Sequence, residues 1–148
     1  MNIRLMEERD IEEVSAIEER SFSMPWKADD FREMIRATYA FYYVAEEDGK
    51  ILGTCGLRNL CGEGEITNVA VDLPYRNRGV AKALLSFVLE MAPAHGIGDI
   101  TLEVRAGNEA AIALYEGAGF EKEGIRPNFY EHPAEDALIM WRRIHTEA

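Results

Sequence analysis

The chain has 148 residues, 47% of them hydrophobic, and a formal charge of −11 from 16 basic against 27 acidic side chains. Its length suits one domain that buries its own core without metal or disulfide, and so acidic a surface repels nucleic-acid phosphates. No apolar run approaches the roughly 18 residues of a membrane span, and Met1 to Glu8 lacks the features of a secretory signal, so a soluble, cytoplasmic protein with no nucleic-acid or membrane partner is expected.

Cys55 and Cys61 stand without further ligands at a zinc-binding spacing and are expected to be reduced thiols. His95, His132 and His145 are scattered, and no metal is expected.

Ile3 to Met6 predicts a short strand. A helix follows in which Asp10 is placed to cap the N-terminus, Glu13 stands three residues on, and Ile11, Val14 and Ile17 form an apolar stripe. Ser21 to Trp26 interrupts it, and Phe31, Met34 and Ile35 give a second helix from Asp29 to Arg36 its inner face. Tyr39 to Glu46 and Ile51 to Arg58 predict a hairpin turning at Glu47-Asp48-Gly49-Lys50. After Cys61-Gly62-Glu63-Gly64, a strand from Glu65 to Val71 leads through a basic loop into a helix from Val80 to His95. Pro93 should weaken the end of that helix and Gly96 stop it. Asp99 to Arg105 alternates as a strand with Ile100, Leu102 and Val104 on one face. A helix from Asn108 to Gly117 and strands over Phe120 to Arg126 and Ala137 to Arg143, around a loop, complete an α/β chain with a mixed sheet. No internal repeat or linker divides it, so residues 1–148 form a single domain.

Val69-Ala70-Val71 followed by Arg76-Asn77-Arg78-Gly79-Val80-Ala81-Lys82 places strand, glycine-bearing loop and helix start in the order of a phosphate cradle. The first N–H groups of a helix lack intrahelical acceptors, and the helix dipole adds positive potential there. Arg76, Arg78 and Lys82 add full charges, although solvated basic loops are common. The Gly-Lys-Ser/Thr loop of nucleoside triphosphatases and the Gly-x-Gly-x-x-Gly dinucleotide pattern are both absent.

With Arg76, Gly79 and Ala81 in the pattern Gln/Arg-x-x-Gly-x-Gly/Ala, the chain resembles the GNAT acetyltransferases. Leu102-Glu103-Val104-Arg105, the stretch from Asn108 to Phe120, Met24-Pro25-Trp26, Arg126-Pro127-Asn128-Phe129-Tyr130 and Glu135 to Met140 extend the resemblance to RimI-type N-terminal acetyltransferases. It implies a GNAT-like three-layer α/β fold with a mixed, mostly antiparallel central sheet flanked by helices, and acetyl-CoA as cosubstrate. Asn77, Arg78, Gly79, Val80, Ala81 and Lys82 would surround the pyrophosphate, and backbone groups of Val69, Ala70 and Val71 would pair with the pantetheine arm. Asn108 and Tyr115, seven residues apart, share a helix face and would both turn to the cofactor. Glu103 would accept the proton of the attacking amine and Tyr115 donate one to the departing thiolate, by direct attack in a ternary complex.

The implied partner is a protein N-terminus, the alanine of a small-subunit ribosomal protein, with Met24, Pro25, Trp26 and Tyr130 as walls of its groove. The family's late loop often has a basic second residue and a tyrosine as its first aromatic, where this chain has Pro127 and Phe129. Other readings stay open from the residues alone: Glu103 as a solvated carboxylate paired with Arg105, Tyr115 as a core aromatic, Asn108 as a helix cap, and Met24 to Trp26 and Asn128 to Tyr130 as loop anchors. At the level of function, the alternatives are acetylation of a lysine side chain or small amine, and a non-catalytic acyl-CoA-binding module.

Overall fold

In the computed structural model, which describes residues 1–144, the apolar periodicities resolve into a seven-stranded sheet covered on both faces by helices; His145 lies outside the described residues. The strands are β1 (Asn2–Leu5), β2 (Ala40–Glu47), β3 (Lys50–Leu60), β4 (Glu63–Val71), β5 (Ile100–Arg105), β6 (Glu121–Tyr130) and β7 (Glu135–Arg142). The helices are α1 (Ile11–Ser21), α2 (Ala28–Arg36), α3 (Val80–Met91) and α4 (Glu109–Gly117). The sheet order is β1-β2-β3-β4-β5-β7-β6, and β4 with β5 is the parallel pair among antiparallel ones.

The two early reversals are both tight. Asp48 and Gly49 have φ of 52° and 77°, and Cys61 and Gly62 have φ of 55° and 93°, the left-handed pair that matches a two-residue turn to the twist of its strands. Cys61 to Gly64 is therefore not a four-residue connection: Glu63 and Gly64 already belong to β4. At the far end of α3, the chain tightens into a 3-10 turn over Ala92–His95 and stops at Gly96, φ 75°, as the proline and glycine there predict.

Two expectations need correction. Asp10 does not cap α1. Its carboxylate accepts from Arg4 at 2.7 and 2.9 Å and from the Glu7 N–H at 2.8 Å, because a 3-10 turn over Glu8–Asp10 moves the helix entry upstream. Glu13 instead accepts from Ile51 N–H at 2.8 Å. The late loop is likewise strand: β6 runs through Pro127 to Tyr130, with four steps from Arg126 to Tyr130 facing two from Ala137 to Glu135. Proline is tolerated because β6 is an edge strand.

Each face of the sheet has its own core. Leu84, Leu85 and Val88 of α3, with Ile112 of α4, close over Leu57, Ile66, Ile100 and Leu102. On the opposite face, Ile11, Val14 and Ile17 of α1 and Phe31 of α2 pack on Tyr42, Val44 and Ile51. Burial of each such side chain contributes roughly 1.5–3 kcal/mol. The result is the expected three-layer arrangement, and no helix among the described residues is long and apolar enough to cross a membrane.

Two irregularities in β4 shape the middle of the sheet. Cys55 faces Val69 and Leu57 faces Ile66, so Gly56 alone opposes Thr67 and Asn68, and β4 bulges there. On its other side β4 meets β5 only at Gly64↔Ile100 and Glu65↔Thr101. Beyond that point the pairing of the two strands ends, leaving an opening in the ladder between them.

A Cβ on Gly56 would lie 2.5 Å from the Tyr42 ring and 2.7 Å from Thr67 Oγ1. Gly56→Ala should therefore cost about 1–3 kcal/mol of stability by overpacking. Urea unfolding measures this, and a midpoint equal to the parent's would contradict the packing described.

Candidate active site

The loop after β4 delivers a helix start to the mouth of the opening. Asn77 and Gly79 both take positive φ, 63° and 79°, asparagine being among the few side chains that tolerate this region. Gly79 occupies the N-cap position with no side chain to offer, and the first bond into the helix is from Ala83 N–H to Gly79 carbonyl at 3.0 Å. The N–H groups of Val80, Ala81 and Lys82 therefore have no intrahelical acceptor. A Cβ on Gly79 would meet nothing within 4 Å, so the space before these donors is open, and an anionic group fits it. Arg78 and Lys82 are exposed beside it. Arg76 is occupied otherwise: its Nε donates to Val71 carbonyl at 2.9 Å, tying the loop to the end of β4.

Val69, Ala70 and Val71 lie on the arm of β4 that has left β5. Their pairing with β3, Val69↔Cys55 to Val71↔Gly53, occupies one edge. Backbone groups on the other edge are presented to the opening, where an amide-containing chain can take them as a strand would.

Glu103 and Tyr115 lie on opposite faces of the sheet. On β5, Ile100, Leu102 and Val104 point into the α3/α4 core, which turns Glu103 to the α1/α2 side. Tyr115 belongs to the α3/α4 core, 8% exposed and edge-on to Phe120 with ring centroids 5.9 Å apart. Burial pushes its phenol well above the ordinary value, with Cys55 and then Tyr130 adding to the rise. Tyr130 is itself raised to about 12 by burial first and Glu103 next. Tyr130 is thus within electrostatic reach of both Glu103 and Tyr115.

Burial also raises the Glu103 carboxyl, with Glu65 adding to the rise and Arg126 opposing it. Glu103 is paired with Arg126, whose Nε lies 3.0 Å from Oε2, and not with Arg105. The approach is out of line for a hydrogen bond, so Oε2 remains a buried oxygen without a donor. A water or an incoming N–H would satisfy it.

Arg105 does other work. It donates to Pro133 carbonyl at 3.0 Å, Glu131 carbonyl at 3.0 Å, Ser23 Oγ at 3.0 Å and Glu135 at 3.3 Å, and its guanidinium lies 4.5 Å from the centre of the Tyr130 ring. It thereby joins Ser23, the residue before Met24-Pro25-Trp26, to the β6–β7 turn. Met24 is exposed, Pro25 and Trp26 are half-buried, and Trp26 stacks on Tyr42 at 5.7 Å. Asn108 caps α4, its side-chain oxygen accepting from Ala111 N–H at 3.2 Å. Its expected turn toward a cofactor falls to the amide NH2, which is left over.

Sequence reasoning missed Glu18. This α1 carboxylate is 2% exposed and accepts from Trp26 N–H at 3.3 Å and from the Asn68 amide at 3.2 and 3.3 Å. The signal was present, because Glu18 continues the stripe of Ile11 and Val14 at positions i, i+3 and i+7. A carboxylate in a helix's core stripe deserves the question of what it holds.

Comparison with known proteins adds the following. The acetyltransferase (GNAT) family profile matches residues 11–120. The chain is 38% identical over 144 residues to a Bacillus subtilis candidate ribosomal protein bS18-alanine N-acetyltransferase, spanning 97% of this chain and 95% of that one. It is 34% identical over 140 residues to the ribosomal protein bS18-alanine N-acetyltransferase of Escherichia coli K12, spanning 93% and 94%. The crystal structure of the ribosomal-protein-S18-alanine N-acetyltransferase from Escherichia coli matches with a TM-score of 0.91 at 32% identity, over 99% of this chain and 96% of that one.

The Arg126 pair can be checked without substrate. Arg126 favours the charged form of Glu103 and burial disfavours it, so Arg126→Ala should move the carboxyl titration to higher pH. Carbon-detected NMR of the Glu103 side chain reads it directly. A titration unchanged or shifted to lower pH would show that the pair does not exist in solution.

Proposed function

The chain belongs to the acetyltransferase (GNAT) family, and we propose that it transfers acetyl from acetyl-CoA to the N-terminal α-amine of a protein, namely the N-terminal alanine of a small-subunit ribosomal protein. The observation that supports this reading is the end of β4–β5 pairing at Glu65↔Thr101, with Glu103 and Tyr115 on opposite faces of the sheet. A donor entering on the α3 side and an acceptor entering on the α1 side would meet between them. The names of the 38% and 34% identical relatives support the choice of acceptor, and a ribosomal acceptor puts the reaction in the cytoplasm.

Acetyl-CoA supplies an acetyl group activated as a thioester. Asn77 to Lys82 hold its pyrophosphate, chiefly through the free N–H groups at the start of α3, while the free edge of Val69, Ala70 and Val71 receives the pantetheine amides. The Asn108 amide adds a donor from the start of α4. Met24, Pro25, Trp26 and Tyr130 guide the peptide, and its amine reaches Glu103.

An N-terminal amine has a pKa of roughly 7.7–8.0, against about 10.4 for lysine, so part of it arrives neutral near pH 7. The nitrogen forms its bond to the acetyl carbon as the carbon–sulfur bond breaks. One proton passes from nitrogen to Glu103, directly or through water, and one from Tyr115 to the departing sulfur. Burial raises the Glu103 carboxyl, which makes its carboxylate a stronger base, and keeps Tyr115 protonated until it is needed.

Two results are expected. Gly79→Val forces a β-branched residue to φ 79° and should weaken acetyl-CoA binding by about tenfold or more; calorimetry giving the parent's dissociation constant would remove this loop from the cofactor site. Peptides with a free N-terminal alanine and basic residues downstream should be acetylated faster than the same peptides N-blocked with lysine left free. Equal or faster acetylation of the blocked peptides would overturn the α-amine assignment. The preference for basic peptides should weaken with added salt, since it depends on the acidic surface.

A further inference from the structure

Glu18 and Asn68 form a buried polar pair that the chemistry above does not use. Glu18 is 2% exposed and Asn68 5%. No cation meets the carboxylate among the described residues; what faces it is the Trp26 N–H, at 3.3 Å, and the Asn68 amide, at 3.2 and 3.3 Å. The other end of Asn68 accepts from the Tyr42 hydroxyl at 3.5 Å, and that hydroxyl also bonds to Thr67. An unpaired carboxylate is costly to bury, and leucine would suit the core stripe better. Its presence is explained by the two segments it joins. Trp26 belongs to the loop between α1 and α2, and Asn68 sits in the bulge of β4 immediately before Val69.

We propose that Glu18 is a positioning residue: it ties the Trp26 loop to the β4 bulge and so fixes the acceptor-side wall relative to the strand that receives the acyl donor. This rests on the assignment of Trp26 to the acceptor groove. Glu18 touches neither substrate and acts through Trp26 and Asn68. Burial pushes its carboxyl up to about 7, so both protonation states are present near neutrality, and a neutral amide can take its place. In Glu18→Gln, the amide oxygen accepts from Trp26 N–H and the NH2 faces Asn68, which turns its own amide over to accept. Leucine offers neither group.

The test compares the parent with Glu18→Gln and Glu18→Leu. It uses initial rates on a peptide with a free N-terminal alanine, calorimetry of acetyl-CoA binding, and acrylamide quenching of Trp26 in a Trp141→Phe background. Glu18→Leu should raise the peptide KM about tenfold while the acetyl-CoA dissociation constant stays within about twofold, and Glu18→Gln should stay within about threefold of the parent in both. Trp26 quenching should rise in the leucine variant alone. A leucine variant with the parent's KM and quenching would overturn the proposal, as would equal loss of peptide and acetyl-CoA binding, which is what a general structural role produces.

If Glu18→Leu does not fold, Asn68→Asp sets two carboxyl groups face to face and the exchanged double variant E18Q/N68D restores an amide–carboxylate pair. Recovery of KM and quenching in the exchange supports the proposal; an exchange no better than Asn68→Asp overturns it. A parent enzyme that acetylates no N-terminal peptide overturns the acceptor assignment instead. The quenching series needs no substrate and still decides whether Glu18 holds Trp26.

Discussion

β4 and β5 stay paired for only two residue positions, Gly64↔Ile100 and Glu65↔Thr101, and the site exists because the pairing ends there. A continuous sheet would seal one helical layer from the other. Parted strands leave backbone groups without partners, a cost unless a ligand or water takes them, and they connect the α3/α4 layer to the α1/α2 layer. The bulge at Thr67 and Asn68 turns β4 on the same stretch. Loop, helix start and both candidate proton-transfer groups then assemble around one gap, although they come from distant parts of the chain.

Burial acts on the two ionisable groups in the same direction and serves each differently. It raises the Glu103 carboxyl, a change that strengthens a base, and it raises the Tyr115 phenol, a change that preserves an acid. Arg126 limits the first effect, because its positive charge favours the ionised carboxylate. Tyr130 interacts electrostatically with both and is held against Arg105. Arg105 of β5 holds Ser23, immediately before Met24, and Glu18 of α1 holds the Trp26 N–H. The segment around Trp26 is therefore held by two polar contacts, a part-buried one to Glu18 and an exposed one at Ser23.

What the residues alone revealed follows the range of the interactions involved. The β2–β3 turn, the end of α3 and the inward face of β5 depend on local patterns, and each appears where glycine, proline or alternation puts it. The helix start at Gly79 was legible for the same reason. Asp10 was misassigned because its carboxylate answers to Arg4 across the chain entry, a partner that competes with the helix cap. The alternative pairing of Glu103 with Arg105, two residues away on the same face, fails because Arg126 of β6 is its partner, and register across three strands decides that. Pro127 to Tyr130 looked like a loop because proline argues against strands, and only an edge position with extra residues accommodates it. Glu18 needed the knowledge that its stripe faces Asn68.

Under the proposed function, donor and acceptor meet in this gap and Tyr115 gives a proton to the departing sulfur. Removing one oxygen from Tyr115 tests it most directly, since Tyr115→Phe keeps the ring that fills the core. Single-turnover acetylation of an N-terminal alanine peptide, with acetyl-CoA affinity measured alongside, separates chemistry from binding. The expected result is a rate lower by roughly 100-fold or more with acetyl-CoA affinity nearly unchanged. A single-turnover rate equal to the parent's would contradict the account.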